Sequence, residues 1–194
     1  MPNLNDILAQ CTNVLPGHGP MMTLEIFSPQ EQVLTDEEIL SFWQMLSAPD
    51  QTEWDYEDNE EFYRKSDEDV IRFFRSKVLA RTAALACWAR DDGEIVGMAS
   101  IHRHTEPPKE HCGELGFSVR QAYQRQGIGY RLVLAVLGKA REAGLQRIES
   151  SCFADNESAV GLLRKAGFRE EGLRVGAIKK HGRLRDIREF GLLL

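Results

Sequence analysis

The stretch Gln124-Arg125-Gln126-Gly127-Ile128-Gly129 contains the residue types that grip a phosphate. It follows the apolar run Glu114-Leu115-Gly116-Phe117-Ser118-Val119 and opens an amphipathic one. A glycine turn that feeds a helix leaves the N–H groups of the first turn without earlier carbonyls to bond. The helix dipole adds partial positive charge at the same place. Phosphate and pyrophosphate bind such an arrangement, and glycine lets them approach the backbone closely. A short Gly-x-Gly segment also serves simply to start a helix. The turn is not a Walker loop, since no Gly-Lys-Ser/Thr follows, and the dinucleotide fingerprint needs a third glycine where Leu132 stands.

Titratable side chains cluster in sequence just before this turn. An alternating strand puts Glu114, Gly116 and Ser118 on one face. His102 and His104 share a face of the preceding strand, and His111 approaches across a loop. Imidazoles at such spacing suit a metal, but no carboxylate pattern accompanies them, so no metal is expected. Residues 54–63 interleave acids with aromatics, beginning Trp54-Asp55-Tyr56-Glu57. Carboxylates attract cations and aromatic faces hold ammonium groups, so Trp54, Tyr56, His102 and His104 are expected to line a pocket for a cationic ligand.

The elements that must position these groups follow from periodicity and turn chemistry. Residues 24–27 read as a first strand. Thr35-Asp36-Glu37-Glu38 is a capping box, and Ile39, Phe42, Trp43 and Leu46 follow at helical spacing. Ser66-Asp67-Glu68-Asp69 starts a second helix with Val70, Phe73, Phe74 and Val78 on its apolar face. Asp91-Asp92-Gly93 marks the turn of a hairpin formed by residues 84–90 and 94–102. The strand 112–119 leads into the phosphate turn. The helix after that turn buries Val133, Val136, Leu137 and Ala140 and ends near Gly144. Residues 148–153 form a strand. A helix capped by Asn156 buries Ala159, Leu162, Leu163 and Ala166 and stops at Gly167. A last hairpin, 172–180 and 184–193, turns at His181-Gly182. The predicted order is βααβββαβαββ, a mixed α/β sheet. Residues 1–20, with their Pro-Gly-His-Gly-Pro run, are expected to be a loosely ordered extension to one domain over 21–194.

Composition limits the partners. With 194 residues, 42% hydrophobic and 28% charged, the chain is long enough to bury one core. Its net charge of −6 argues against general nucleic-acid binding. Seven acids and no Lys or Arg fall in residues 50–61, so the rest of the chain is close to neutral. No apolar run is long enough to cross a membrane, and the N-terminus lacks the pattern of a secretory signal. Cys11, Cys87, Cys112 and Cys152 are widely spaced, as free thiols of a reducing cytoplasm would be.

Beyond the phosphate turn comes Asn156-Glu157-Ser158-Ala159, leading to Lys165-Ala166-Gly167-Phe168. Together, the Q-x-x-G-x-G turn and the N-x-x-A…K-x-G-F helix resemble the GCN5-related N-acetyltransferase (GNAT) family over residues 22–194. The resemblance implies a fold whose two central parallel strands splay apart around acetyl-CoA. It implies that the amides of Gln124, Arg125, Gln126, Gly127, Ile128, Gly129 and Tyr130 hold the pyrophosphate. Phe117 and Val119 would flank the pantetheine arm, with Asn156 and Leu163 on its other side, and Arg125, Arg131 and Arg164 could meet phosphates. The Gly182-Arg183-Leu184-Arg185-Asp186 ending resembles the branch acting on ribosomal-protein N-termini and polyamines.

Acetyl transfer to an amine needs a neutral amine, a donor for the oxyanion and an exit for the thiolate. An alkylamine with pKa near ~10 is mostly protonated at neutral pH, so a base must take its proton. Glu114, placed like the family's strand glutamate, is the expected base, with the histidines as rivals. The resemblance gives the oxyanion to the Val119 N–H. Many members place a proton-donating Tyr where Leu163 stands, or a Ser where Ala159 stands; both donors are absent. Tyr130 and Ser158 are the remaining candidate acids. The expectation is an enzyme moving acetyl from acetyl-CoA to a primary amine, a cationic small molecule or a peptide N-terminus, in a ternary complex. The alternative is an acetyl-CoA sensor without turnover. A longer acyl-CoA and a homodimer remain open readings.

Overall fold

The computed structural model describes residues 24–48, 65–78 and 84–194. The expected extension over 1–20 and the acidic, aromatic segment holding Trp54 and Tyr56 lie outside these residues. Among the described residues there are seven strands, β1 (Glu25–Phe27), β2 (Ala84–Asp91), β3 (Glu94–Arg103), β4 (Cys112–Val119), β5 (Arg147–Phe153), β6 (Arg169–Lys180) and β7 (Arg183–Leu193). Four α-helices accompany them: α1 (Asp36–Leu46), α2 (Asp67–Phe73), α3 (Ile128–Glu142) and α4 (Glu157–Lys165). A π-helical turn, Phe74–Val78, continues α2. Among the described residues the order of strands and α-helices is the predicted βααβββαβαββ.

The strands form one sheet in the order β1-β2-β3-β4-β5-β7-β6. Every neighbouring pair is antiparallel except β4 and β5. Alternation along β2 divides the core in two. Ala86 and Trp88 face α1 and α2, while Cys87 and Ala89 face α3. On the first face Phe42 stacks on Trp88 with centroids 4.0 Å apart, and Phe74 meets Phe42 edge-on at 5.2 Å. On the second, Leu132, Val133, Val136 and Leu137 of α3 close over Val96, Ile101, Leu115 and Ile148. Each such buried side chain contributes about 1.5–3 kcal/mol.

Two apolar faces differ from expectation. In α1 it is Met45, not Leu46, that is buried along with Ile39, Phe42 and Trp43. In α4 the buried set is Ala159, Val160 and Leu163; Leu162 is half-buried because its Cδ1 lies against Gly129 at the start of α3. The β2–β3 turn has positive φ at both Asp92 and Gly93, and the β6–β7 turn at both His181 and Gly182. This is the backbone of a two-residue hairpin whose twist matches its strands.

Candidate functional site

The strands β4 and β5 are in register for three pairs only, Cys112↔Arg147, Gly113↔Ile148 and Glu114↔Glu149. Beyond these the two strands no longer pair with each other, though they run on to Val119 and Phe153. Ser150 Oγ, buried, donates to the Leu115 carbonyl at 3.0 Å across the parting. Gln124 Nε2 donates to the Val119 carbonyl, also at 3.0 Å. On its other edge β4 pairs with β3, whose Val96 carbonyl accepts from the Arg120 amide at 2.9 Å. Alternate residues of a strand turn their backbone groups to opposite neighbours, so Leu115, Phe117 and Val119 face the cleft.

Helix α3 starts at the mouth of this cleft. Its N-cap is Gly127, at φ +79°, and Arg125 is also left-handed at φ +63°. The Arg131 amide bonds the Gly127 carbonyl at 3.1 Å, which leaves the Ile128, Gly129 and Tyr130 amides with no earlier turn to bond. No side chain caps them, and the first turn has no acidic residue. A Cβ at Gly127 would meet nothing within 4 Å. The glycine is therefore set by its backbone conformation and by open space in front of the helix. Gly129 is different, because a Cβ there would lie 3.0 Å from Leu162 Cδ1 and 3.4 Å from Val119 Cγ2. Arg131 Nε is buried without a hydrogen-bond partner. Uncapped amides, a cradle without Cβ and an unpartnered guanidinium nitrogen together fit the pyrophosphate of a CoA thioester.

The side chains in the turn have work of their own. Gln126 Nε2 donates to the Ala122 carbonyl at 3.2 Å, while the Tyr130 ring lies 4.3 Å beneath Lys165 Nζ. On the far side of the cleft Asn156 Oδ1 accepts from the Ala159 amide at 3.1 Å, so it is the N-cap of α4. Its carboxamide NH₂ is not used by that bond. Ser158 is exposed in the first turn of α4, and Leu163 and Ala159 are buried in the core.

The opposite face of the cleft floor carries the titratable groups. His102, Glu114 and Glu149 stand abreast on β3, β4 and β5, as successive register partners. Sequence reasoning missed Glu149. Its carboxylate accepts from Arg147 Nε at 3.0 Å, and Arg147 also pairs with Glu171. The Arg147 guanidinium holds the Glu171 carboxyl below the usual carboxylate range. His104 lies one residue past the end of β3, with its Nε2 3.9 Å from Glu149 and its Nδ1 3.9 Å from Glu106. His111 is exposed, and its carbonyl accepts from the amides of Gln146 and Arg147. Among the described residues no group of His, Cys, Asp and Glu is placed to hold a metal. Cys87, Cys112 and Cys152 are buried and outside any disulfide, and burial pushes the Cys152 thiol up to about 11. The GNAT sequence model, described as an acetyltransferase family, matches residues 39–168.

The chain belongs to the acetyltransferase (GNAT) family. RimI, an N-alpha-acetyltransferase of Mycobacterium tuberculosis, is 38% identical over 86 residues, which are 44% of this chain and 52% of that protein. The chain spans about half the length of the curated relatives it matches. The crystal structure of a ribosomal-protein-alanine N-acetyltransferase from Brucella melitensis superposes with TM-score 0.72 at 20% identity, covering 88% of this chain and 99% of that one. YncA from Salmonella typhimurium, solved with acetyl-CoA, also gives 0.72, at 17% identity over 88% of this chain and 94% of that one. At these identities the likeness is one of fold.

Proposed function

We propose that this GNAT-family protein transfers the acetyl group of acetyl-CoA to a primary amine, directly and within a ternary complex. The observation that carries the reading is the uncapped N-terminus of α3 at the mouth of the cleft where β4 and β5 part. The Ile128, Gly129 and Tyr130 amides bind the pyrophosphate, and the backbone of Phe117 replaces its missing β5 partner with the pantetheine arm. The Asn156 carboxamide meets that arm from the other side. With those contacts the thioester lies, in this proposal, near the point of parting and beside Glu114.

Glu114 is exposed on β4, without the arginine that occupies Glu149. Glu114 takes the proton of the bound ammonium, directly or through a water. The freed amine nitrogen attacks the thioester carbonyl carbon, the C–N bond forms, the C–S bond breaks, and the second proton shed by that nitrogen passes to solvent or to the departing sulfur. Sulfur leaves with the bonding electrons. The Val119 amide donates to the oxyanion, an interaction worth on the order of 3 kcal/mol. A CoA thiol is acidic enough, by analogy with free cysteine near ~8.5, to leave as thiolate. That suits a site whose family positions for a donor are Leu163 and Ala159; Tyr130 and Ser158 are the donors within the neighbouring turns. The Cys152 thiol, pushed up to about 11, is a poor nucleophile at neutral pH, which supports direct transfer over an acyl-cysteine route. The exposed Glu114 on the cleft floor and the acidic segment of residues 50–61 favour a cationic amine, either a small molecule or a peptide N-terminus. The reading places the reaction in the cytoplasm.

The test is thiol release from acetyl-CoA with polyamines, aminoglycosides, amino acids and N-terminal peptides. Glu114→Gln is expected to lower kcat on one amine class by about 10²–10³-fold and to leave acetyl-CoA affinity unchanged. Tight acetyl-CoA binding with no turnover on any amine would instead favour a sensor.

A further inference from the structure

The aspartate of the Gly182…Asp186 ending is tied into its own hairpin. The Asp186 carboxylate accepts from the Gly176 amide at 2.7 Å and pins a bulge in β6, where the β6–β7 register slips between Arg174 and Ile178. The Asp186 carbonyl accepts from the Ala154 amide at 2.8 Å. Beside it, Arg185 crosses the Phe153 ring, with its guanidinium carbon 4.1 Å from the centroid, and its Nη2 donates to both Asp155 oxygens at 2.6 and 2.7 Å. The Arg185 side chain is only 16% exposed. Arg188 Nε reaches the Ala154 carbonyl at 3.4 Å. Three consecutive residues at the end of β5, Phe153, Ala154 and Asp155, are therefore fastened to β7. Asn156 comes next.

We propose that Arg185 is a positioning residue for the acyl-bearing arm of acetyl-CoA. It acts through Asp155 and Phe153 to set where the Asn156 carboxamide and the end of β5 stand relative to β4. This rests on the acetyl-CoA reading of the cleft. β5 has no register partner on β4 beyond Glu149, and past the Ser150–Leu115 bond the width of the cleft at Phe153 depends on what holds β5 from the β7 side. A planar guanidinium whose Nη2 is shared between both Asp155 oxygens while its face lies on the Phe153 ring fixes direction as well as distance, and the stacking is something a lysine cannot reproduce.

The two ends of the ligand separate this role from general stability. Acetyl-CoA engages both the α3 turn and the β5–α4 turn, whereas adenosine 3′,5′-bisphosphate lacks the pantetheine arm. Calorimetric titration of the full chain with each ligand is the experiment. Arg185→Ala is expected to weaken acetyl-CoA about tenfold and to leave adenosine 3′,5′-bisphosphate within about twofold. Arg185→Lys should recover part of the loss. Asp155→Asn, on an exposed side chain, should reproduce the split if Arg185→Ala fails to fold. Equal weakening of both ligands, or no weakening of either, overturns the proposal. A wild-type protein that binds neither ligand overturns the acetyl-CoA reading itself. Wild-type binding with no split among the variants overturns only the role of Arg185.

Discussion

Helices α1 and α3 begin in opposite ways. At α1, Thr35 Oγ1 accepts from the Glu38 amide at 3.2 Å, and Glu38 accepts in return from the Thr35 amide at 2.9 Å. Asp36, Glu37 and Glu38 fill the first turn with negative charge. The dipole of α1 is answered within the protein. At α3 the cap is a glycine, the first turn contains no acid, and Arg131 brings further positive charge. Helices α2 and α4 follow α1, with Ser66 and Asn156 as side-chain caps and acids in their first turns. A helix whose start is answered internally is there for stability. The one left bare pays a stability penalty, and an anionic ligand can remove it.

The sharpest way to break this contrast is to give α3 what α1 has. Gly127→Asp places a carboxylate at the N-cap, where it accepts from the first-turn amides and repels a pyrophosphate. Space is available, since nothing lies within 4 Å of a Cβ there, and Asp tolerates the left-handed φ better than most residues. Acetyl-CoA affinity is expected to fall by about 100-fold or more, close to 2.7 kcal/mol, with the fold retained. Titration with acetyl-CoA checks the first and circular dichroism the second. An affinity within about threefold of wild type would mean that the α3 start is not the phosphate site.

The converse change removes the cap of α1. Thr35→Ala should cost about 1 kcal/mol of stability, read from urea unfolding, because the Glu38 amide loses its acceptor. Acetyl-CoA affinity should not change, since α1 packs on the Trp88 face of the sheet and α3 on the other. A stability loss accompanied by loss of cofactor binding would show that the two helix starts are coupled and not merely different.

The sequence shows this contrast because caps are local. Thr35 and Glu38 are three residues apart, and Gly127 sits at the end of a short polar run. Period and turn chemistry likewise fix the element order, down to Asp92-Gly93 and His181-Gly182. Glu149 could not be found that way. It is one glutamate on a strand, and it gains meaning only when the β4–β5 register sets it beside Glu114, far earlier in the chain. The Ser150–Leu115 bond and the Arg185–Asp155 pair are hidden for the same reason. The ending Gly182…Asp186 was legible as a motif but not in its use: its aspartate holds a bulge. Gly127 and Gly129 look alike in the sequence, yet one answers to φ and the other to Leu162.

Acid offers the smallest and most selective probe. At the β1 end, Arg90 donates to Glu25 at 2.7 Å and also pairs with Glu38 of the α1 cap. The hydrogen bond from Arg90 holds the Glu25 carboxyl below its usual range, against an opposing contribution from burial. Because the folded value lies below the unfolded one, near ~4.3, this stabilisation is complete at pH values above the unfolded value and is lost as pH falls through the folded one. The Glu25 side chain is 49% exposed, so solvent screening limits the pair to about 0.5 kcal/mol. Thermal melts from pH 6 down to pH 3 should therefore show an extra loss of about 1–3 °C that Glu25→Gln removes. The α3 turn, residues 124–131, contains no carboxylate and so has no such group to protonate. If Glu25→Gln left the acid limb unchanged, the answered charge at the α1 end would rest on Glu38 and its reciprocal bond to Thr35 alone, and the contrast with α3 would narrow to a single capping box.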